Sequence, residues 1–178
     1  MSIENKPNIN GQVESKPNVL KKIEMVEKAE ESIHMSVYER KTDTARKEMP
    51  NLDFKELNSA KKDVQNKMEA ITNQNSEEYD KNLALFQSID LIGRLKNYKD
   101  WQPELEKAAK RMVYELADAN SSYKGDNEKI RNMLFYLEGA VYNLAQAKFP
   151  KELDTQHKWR KERNEEYLKE AREKIKNA

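Results

Sequence analysis

Apolar side chains along residues 127–149, NEKIRNMLFYLEGAVYNLAQAKF, recur at intervals of three and four: Ile130, Met133, Leu134, Leu137, Ala140, Val141, Leu144 and Ala145. That spacing gathers them onto one face of an α-helix, and a face so wide needs partners. A second segment, residues 76–98, carries Tyr79, Leu83, Leu85, Phe86, Ile89, Leu91, Ile92 and Leu95, apolar over more than half of a helical circumference. These two helices are expected to hold most of the core.

The flanking segments are narrower in pattern. From Asn18 onward, Val19, Ile23, Val26, Glu30, Ile33 and Val37 alternate four and three apart, a seam of coiled-coil type interrupted by Glu30. Asn18 is expected to cap this helix and Pro50 to end it, because the residue before a proline is driven out of the α region. At 1.5 Å per residue the helix is about 45 Å long, against about 40 Å for the diameter of a compact domain of this length, so it crosses the molecule or protrudes from it. Asp53 and Glu56 predict a capping box ahead of a helix bearing Phe54, Leu57, Val64, Met68 and Ile71 and ending near Thr72. Ser76, with Glu77 and Glu78 behind it, starts the next helix, in which Gly93 marks a bend or a close helix approach.

Asp100 or Gln102, with Pro103 in the first turn, opens a helix buried through Leu105, Ala108, Ala109, Met112, Val113 and Leu116. Residues 121–125 break it, Asp126 caps the central segment and Pro150 ends that. Residues 151–178 are almost all charge, with Leu153, Trp159, Tyr167, Leu168, Ala171 and Ile175 as their few apolar positions, and form a helix that docks by one edge or projects. The pattern therefore predicts an all-α bundle of five to six helices, with a long N-terminal helix and a highly charged C-terminal one. It occupies a single domain over residues 18–178 behind a flexible tail, 1–17. A near-repeat runs through that tail, Glu4-Asn5-Lys6-Pro7-Asn8-Ile9 against Glu14-Ser15-Lys16-Pro17-Asn18-Val19, in the manner of a bivalent docking peptide.

Composition agrees with long helices. Ala, Glu, Lys, Leu and Arg supply 84 of the 178 residues, while four glycines and five prolines leave little material for the turns of a β-fold. Leu, Ile, Val and Phe number only 34, so the core is thin. Disorder does not follow, because 33 basic residues nearly cancel 32 acidic ones and the chain does not repel itself open. The same balance removes any global attraction to nucleic acid or an anionic membrane. No run of apolar residues is long enough for a membrane span, and the absence of cysteine removes disulfides and thiol chemistry, which fits a cytoplasmic location. Lys at 25 against Arg at 8, with 17 Asn, points through codon usage to an AT-rich genome, as in a bacterium, phage or protist.

Three constellations offer chemistry. Glu31-Ser-Ile-His34 matches a Glu-x-x-His element, Asp154-Thr-Gln-His157 is a looser copy, and Asp90 and Glu138 stand inside the two most apolar helices. In residue types this set resembles the ferritin-like di-iron family, which implies a di-metal carboxylate bundle, although the order of the elements departs from that family's. Lys158, Trp159, Arg160, Lys161 and Arg163 form a basic cluster with an aromatic, the composition that grips phosphates and stacks a base. The third is the seam itself, with Ile23, Val26, Ile33 and Val37 as a face for a protein partner or for a second copy of the chain.

No glycine-rich phosphate loop, cysteine nucleophile or recognised serine–histidine motif is present, so no enzyme activity and no cofactor are expected. At the C-terminus, Glu165-Glu166, Glu170 and Glu173 precede Ile175, the fourth residue from the end. This is similar to the glutamate-rich tails of type IV secretion effectors, which implies translocation into a host cell; the spacing is one residue longer than the usual Glu-Glu-x-x-Glu. The resulting expectation is a non-enzymatic helical protein-interaction module, such as a secreted effector or a mobile-element or phage accessory protein. The nucleic-acid and di-metal readings stand as alternatives.

Overall fold

The computed structural model describes residues 11, 13 and 15–178; the first copy of the tail repeat lies outside the described residues. Among the described residues, seven α-helices follow one another: α1 (Lys16–Glu48), α2 (Phe54–Ala70), α3 (Glu77–Asn97), α4 (Gln102–Arg111), α5 (Val113–Ser122), α6 (Glu128–Lys148) and α7 (Pro150–Lys176), with a 3-10 turn at Met49–Asn51. No strand occurs among the described residues, as expected of an all-α bundle. No helix among them is long and apolar enough to cross a membrane.

The centre of the bundle is α6. Its cap is Asn127, whose side-chain oxygen accepts from the Lys129 and Ile130 amides at 3.0 and 3.2 Å. Ile130, Met133, Leu134, Leu137, Ala140, Val141, Leu144 and Ala145 are all buried, the face that the three-and-four spacing marks. Half of the buried apolar side chains come from α3 and α6. The two are not each other's main partner, however: α6 packs chiefly on the C-terminal half of α1 and then on α5 and α4, whereas α3 packs on α5 and α2. The α1–α6 pair is antiparallel, since Glu31 bonds Lys148, His34 bonds Asn143 and the Lys41 side chain lies against Gly139 and over the Phe135 ring. Ala45 and Ala140, both without exposed surface, supply small side chains to this pair of helices.

Several helix ends follow their sequence signals. Asp53 accepts from the Glu56 amide at 2.8 Å while the Glu56 carboxylate accepts from the Asp53 amide at 3.0 Å, completing the capping box. That backbone bond, helped by Lys129, holds the Glu56 carboxyl below the usual glutamate range. Ser76 Oγ accepts from the Tyr79 amide at 3.2 Å. Other ends differ. α1 begins at Lys16, with Ser15 at the cap position and Pro17 in the first turn, so Asn18 lies inside the helix. Gly93 marks no close approach, for a side chain there would meet nothing within 4 Å, and α3 runs through it unbroken. Trp101, between α3 and α4, is buried and stacked under the Arg46 guanidinium.

The largest departure from expectation is at Met112. One helix is expected over residues 102–120, but two form, because Met112 leaves the helical region at φ −140° and ψ 32°. In an unbroken helix the Val113 amide would bond the Ala109 carbonyl. Here the Gln156 side chain of α7 occupies that place: its Oε1 accepts from the Val113 amide at 2.9 Å and its Nε2 donates to the Ala109 carbonyl at 3.0 Å. A side chain inserted into the ladder is a recognised cause of a sharp helix bend. It also explains the helix count of seven against an expected five to six.

Gln156 belongs to a stripe along α7. Leu153, Gln156, Arg160, Arg163, Tyr167 and Glu170 recur three and four apart and turn toward the body, while the residues between them face solvent apart from their shoulders. Only Leu153 in that stripe is fully buried and apolar. Arg160 pairs with Asp118 of α5, Arg163 with Asp80 of α3 at 3.1 Å, and Glu170 accepts from Asn75 ahead of α3 at 3.2 Å. The charged C-terminal helix thus docks by one edge and is held mainly by polar bonds.

Candidate partner-binding surface

Every residue of α1 from Lys16 to Glu30 is exposed, and the body of the molecule begins only at Glu31. These fifteen residues make a free helical arm about 22 Å long. Beyond it, Glu31, His34, Tyr38, Thr42 and Ala45 form the line that docks on the body. At 100° per residue the seam through Val19, Ile23, Val26, Glu30, Ile33 and Val37 lies roughly 100° around the helix from that docked line. The two lines do not compete for one face.

Exposure follows from this offset. Ile23 is 48% exposed, Val26 56% and Ile33 63%, and Val37 is half-buried where the seam passes α6. Val19 and Leu20 add further exposed apolar surface at the tip. Ile33 is the informative position, because it stays in solvent within the stretch of α1 that is docked through Glu31 and His34. The four seam residues named from spacing therefore share one line on one helix, open at Ile23, Val26 and Ile33 and partly covered at Val37.

The other candidate residues are dispersed. Glu31 pairs with Lys148, and the His34 ring nitrogen Nδ1 lies 2.8 Å from the Asn143 side-chain oxygen. Asp90 pairs with Lys61 at 2.7 Å and with Arg94, its neighbour four residues on. Glu138, half-buried, accepts from Asn120 of α5 and so has the neighbouring-helix partner its own helix could not supply. Asp154 is exposed, and His157, also exposed, lies 3.1 Å from the Tyr114 hydroxyl. Among the described residues, no three His, Asp or Glu side chains converge in a way that could hold a metal ion. The di-iron-like arrangement is not assembled, since its members sit on different faces and most are occupied by partners of their own.

The basic cluster is divided by the helix that carries it. Arg160 and Arg163 turn inward to Asp118 and Asp80, while Lys158, Trp159 and Lys161 remain exposed on the outer side. Two of its five members thus have their charge matched inside the fold, leaving two lysines and one ring for any phosphate backbone. Between α5 and α7 lies a depression of about 410 Å³ lined by Arg111, Tyr114, Glu115, Gln156 and Trp159. Burial pushes the Glu115 carboxyl up, against the pull of its backbone amide and of the Arg160 charge. Sequence reasoning passed over both Gln156 and Glu115. Each is a single polar residue within a helical pattern, and its role depends on which helix faces it.

A groove of about 840 Å³ runs between α2, α3 and the α5–α6 connection. Lys55, Lys67, Lys81 and Lys124 alternate there with Glu56, Asp63, Glu78 and Asp126, so it has no dominant charge. No protein-family model matches this chain, and no curated protein or solved structure matches it either.

Proposed function

We propose that the chain is a non-enzymatic protein-binding module whose partner docks along the Ile23, Val26 and Ile33 line of α1. The observation that carries this reading is the free arm itself: a helix continued for about four turns past the body, bearing an apolar seam that the body does not cover. Apolar residues are scarce in this chain, and placing several of them in water at regular heptad spacing has a physical rationale when a partner removes them from water. An apolar stripe along a helix is the feature by which helix-in-groove and helix-to-helix partners are recognised. Glu31, His34, Asp90 and Glu138 are matched to neighbours while Asp154 and His157 stand on the surface, which also favours binding over catalysis.

The test uses the full chain carrying Ile23→Asp together with Val26→Asp as bait beside the unaltered chain. Both positions lie on the arm and touch no core, so the circular dichroism spectrum and melting temperature of the variant are expected to stay within about 0.5 kcal/mol of the original in stability terms. Partner capture is expected to fall to background. Capture that persists at full strength, or a variant that unfolds, would overturn the reading.

A further inference from the structure

We infer that the partner of the α1 arm is a second copy of this chain, laid antiparallel along the seam; this rests on the protein-binding reading above and names its occupant. Charge along the arm carries the argument. Lys16, Lys21 and Lys22 occupy its first part, and Glu24, Glu27, Glu30 and Glu31, relieved only by Lys28, occupy its second. Two such arms side by side in the same direction would set lysine against lysine and glutamate against glutamate. Their like charges would meet most closely at Glu30, which interrupts the seam and would face its own copy between two apolar layers. Turning one arm around places the basic part of each beside the acidic part of the other.

Register and length agree with that orientation. When Ile23 of one arm is level with Val26 of the other, Val19 is level with Glu30 and Lys16 with Ile33. Glu30 then stands beside an apolar residue, within one turn of Lys22 of the second copy, rather than against another carboxylate. The overlap runs from Lys16 to Ile33 in both copies, about 27 Å, which covers the exposed arm and ends within one turn of Glu31, where α1 meets the body. The two bodies fall at opposite ends of the paired arms, whereas a parallel pair would bring both to the same end, beside Ile33. The isologous contact closes on itself, so a dimer forms and not a filament.

Sedimentation equilibrium of the full chain, with cross-linking, tests this. The mass is expected to rise from 21.0 kDa to twice that value as concentration increases, and to stay at the single-chain value for Ile23→Asp with Val26→Asp. Because the chain has no cysteine, an introduced thiol reports on one position only. A Val19→Cys chain mixed with a Glu30→Cys chain is expected to give the mixed disulfide on mild oxidation, with little Val19→Cys homodimer. A single-chain mass at every concentration overturns self-association, and a doubled mass that survives the seam variant overturns the seam as its interface. A predominant Val19→Cys homodimer overturns the antiparallel arrangement. A single-chain mass combined with seam-dependent capture of some other protein removes the second copy as partner and leaves the protein-binding reading standing. Loss of both removes that reading as well.

Discussion

Leu137→Ala is expected to lower stability by about 3 kcal/mol and the melting temperature by roughly 10 °C. Leu137 has no exposed surface and lies midway along α6, the helix on which α1, α4, α5 and α7 all pack. Removing its branched end loses the transfer free energy of the deleted carbons and leaves a void that surrounding helices can close only in part. In a chain so poor in large apolar residues, no nearby side chain is spare to fill the space. The matched comparison is Leu168→Ala, at a position on α7 that is 58% exposed, where the change is expected to stay within about 0.5 kcal/mol. Denaturant melts of the two variants decide it, and similar midpoints would mean that α6 is not the centre of the core.

Gln156→Met is expected to destabilise by about 2 to 4 kcal/mol, although it keeps a side chain of similar length. The loss has a specific source. Methionine can neither accept from the Val113 amide nor donate to the Ala109 carbonyl, so both backbone groups lose the partners they have at the break between α4 and α5. Straightening Met112 would rejoin them, but α4 packs on α6 and α5 packs on α3, and one continuous helix would pull at least one of them from its neighbour. The expected signs are an earlier denaturant midpoint and faster amide exchange at Val113, with Lys158→Met, on the exposed side of the same helix, as a neutral comparison. Unchanged stability together with a Val113 amide that stays protected would show that the helix closes on its own and that Gln156 is dispensable.

What was legible in the sequence was whatever a single helix decides for itself. The buried face of α6, the Asp53–Glu56 capping box and the Ser76 cap depend on residues a few positions apart, and each appears where its local signal lies, whereas α1 gives way after Glu48 to a 3-10 turn that includes Pro50, with Met49 still in the α region and not driven from it. The break at Met112 depends on α7 reaching across from more than forty residues away, and residues 102–120 contain no glycine and only Pro103, in the first turn, to announce it. Trp101 and Leu52, buried in connections outside the long helices, were invisible to a search for periodicity. The basic cluster was legible as composition but not as surface, since residues three apart on a helix share a face and residues one or two apart do not. Arg160 and Arg163 therefore turn inward together while Lys158 and Lys161 do not. The seam was read as one line and is one line; that its first half would extend beyond the body follows from the placement of α6, whose C-terminal end meets α1 only at Glu31.

Hydrogen exchange of the full chain, free and associated, bears most directly on whether partners bind the α1 seam. Amides of residues 19–30 are expected to exchange quickly in the dilute chain, because every residue of the arm is exposed, and to slow when the chain associates with itself or with a captured protein. Amides of α3 and of α6 from Ile130 to Ala145, already buried, are expected to keep one rate throughout. Slowing confined to the outer side of α7 around Lys158 and Trp159, with residues 19–30 unchanged, would contradict a binding surface on α1.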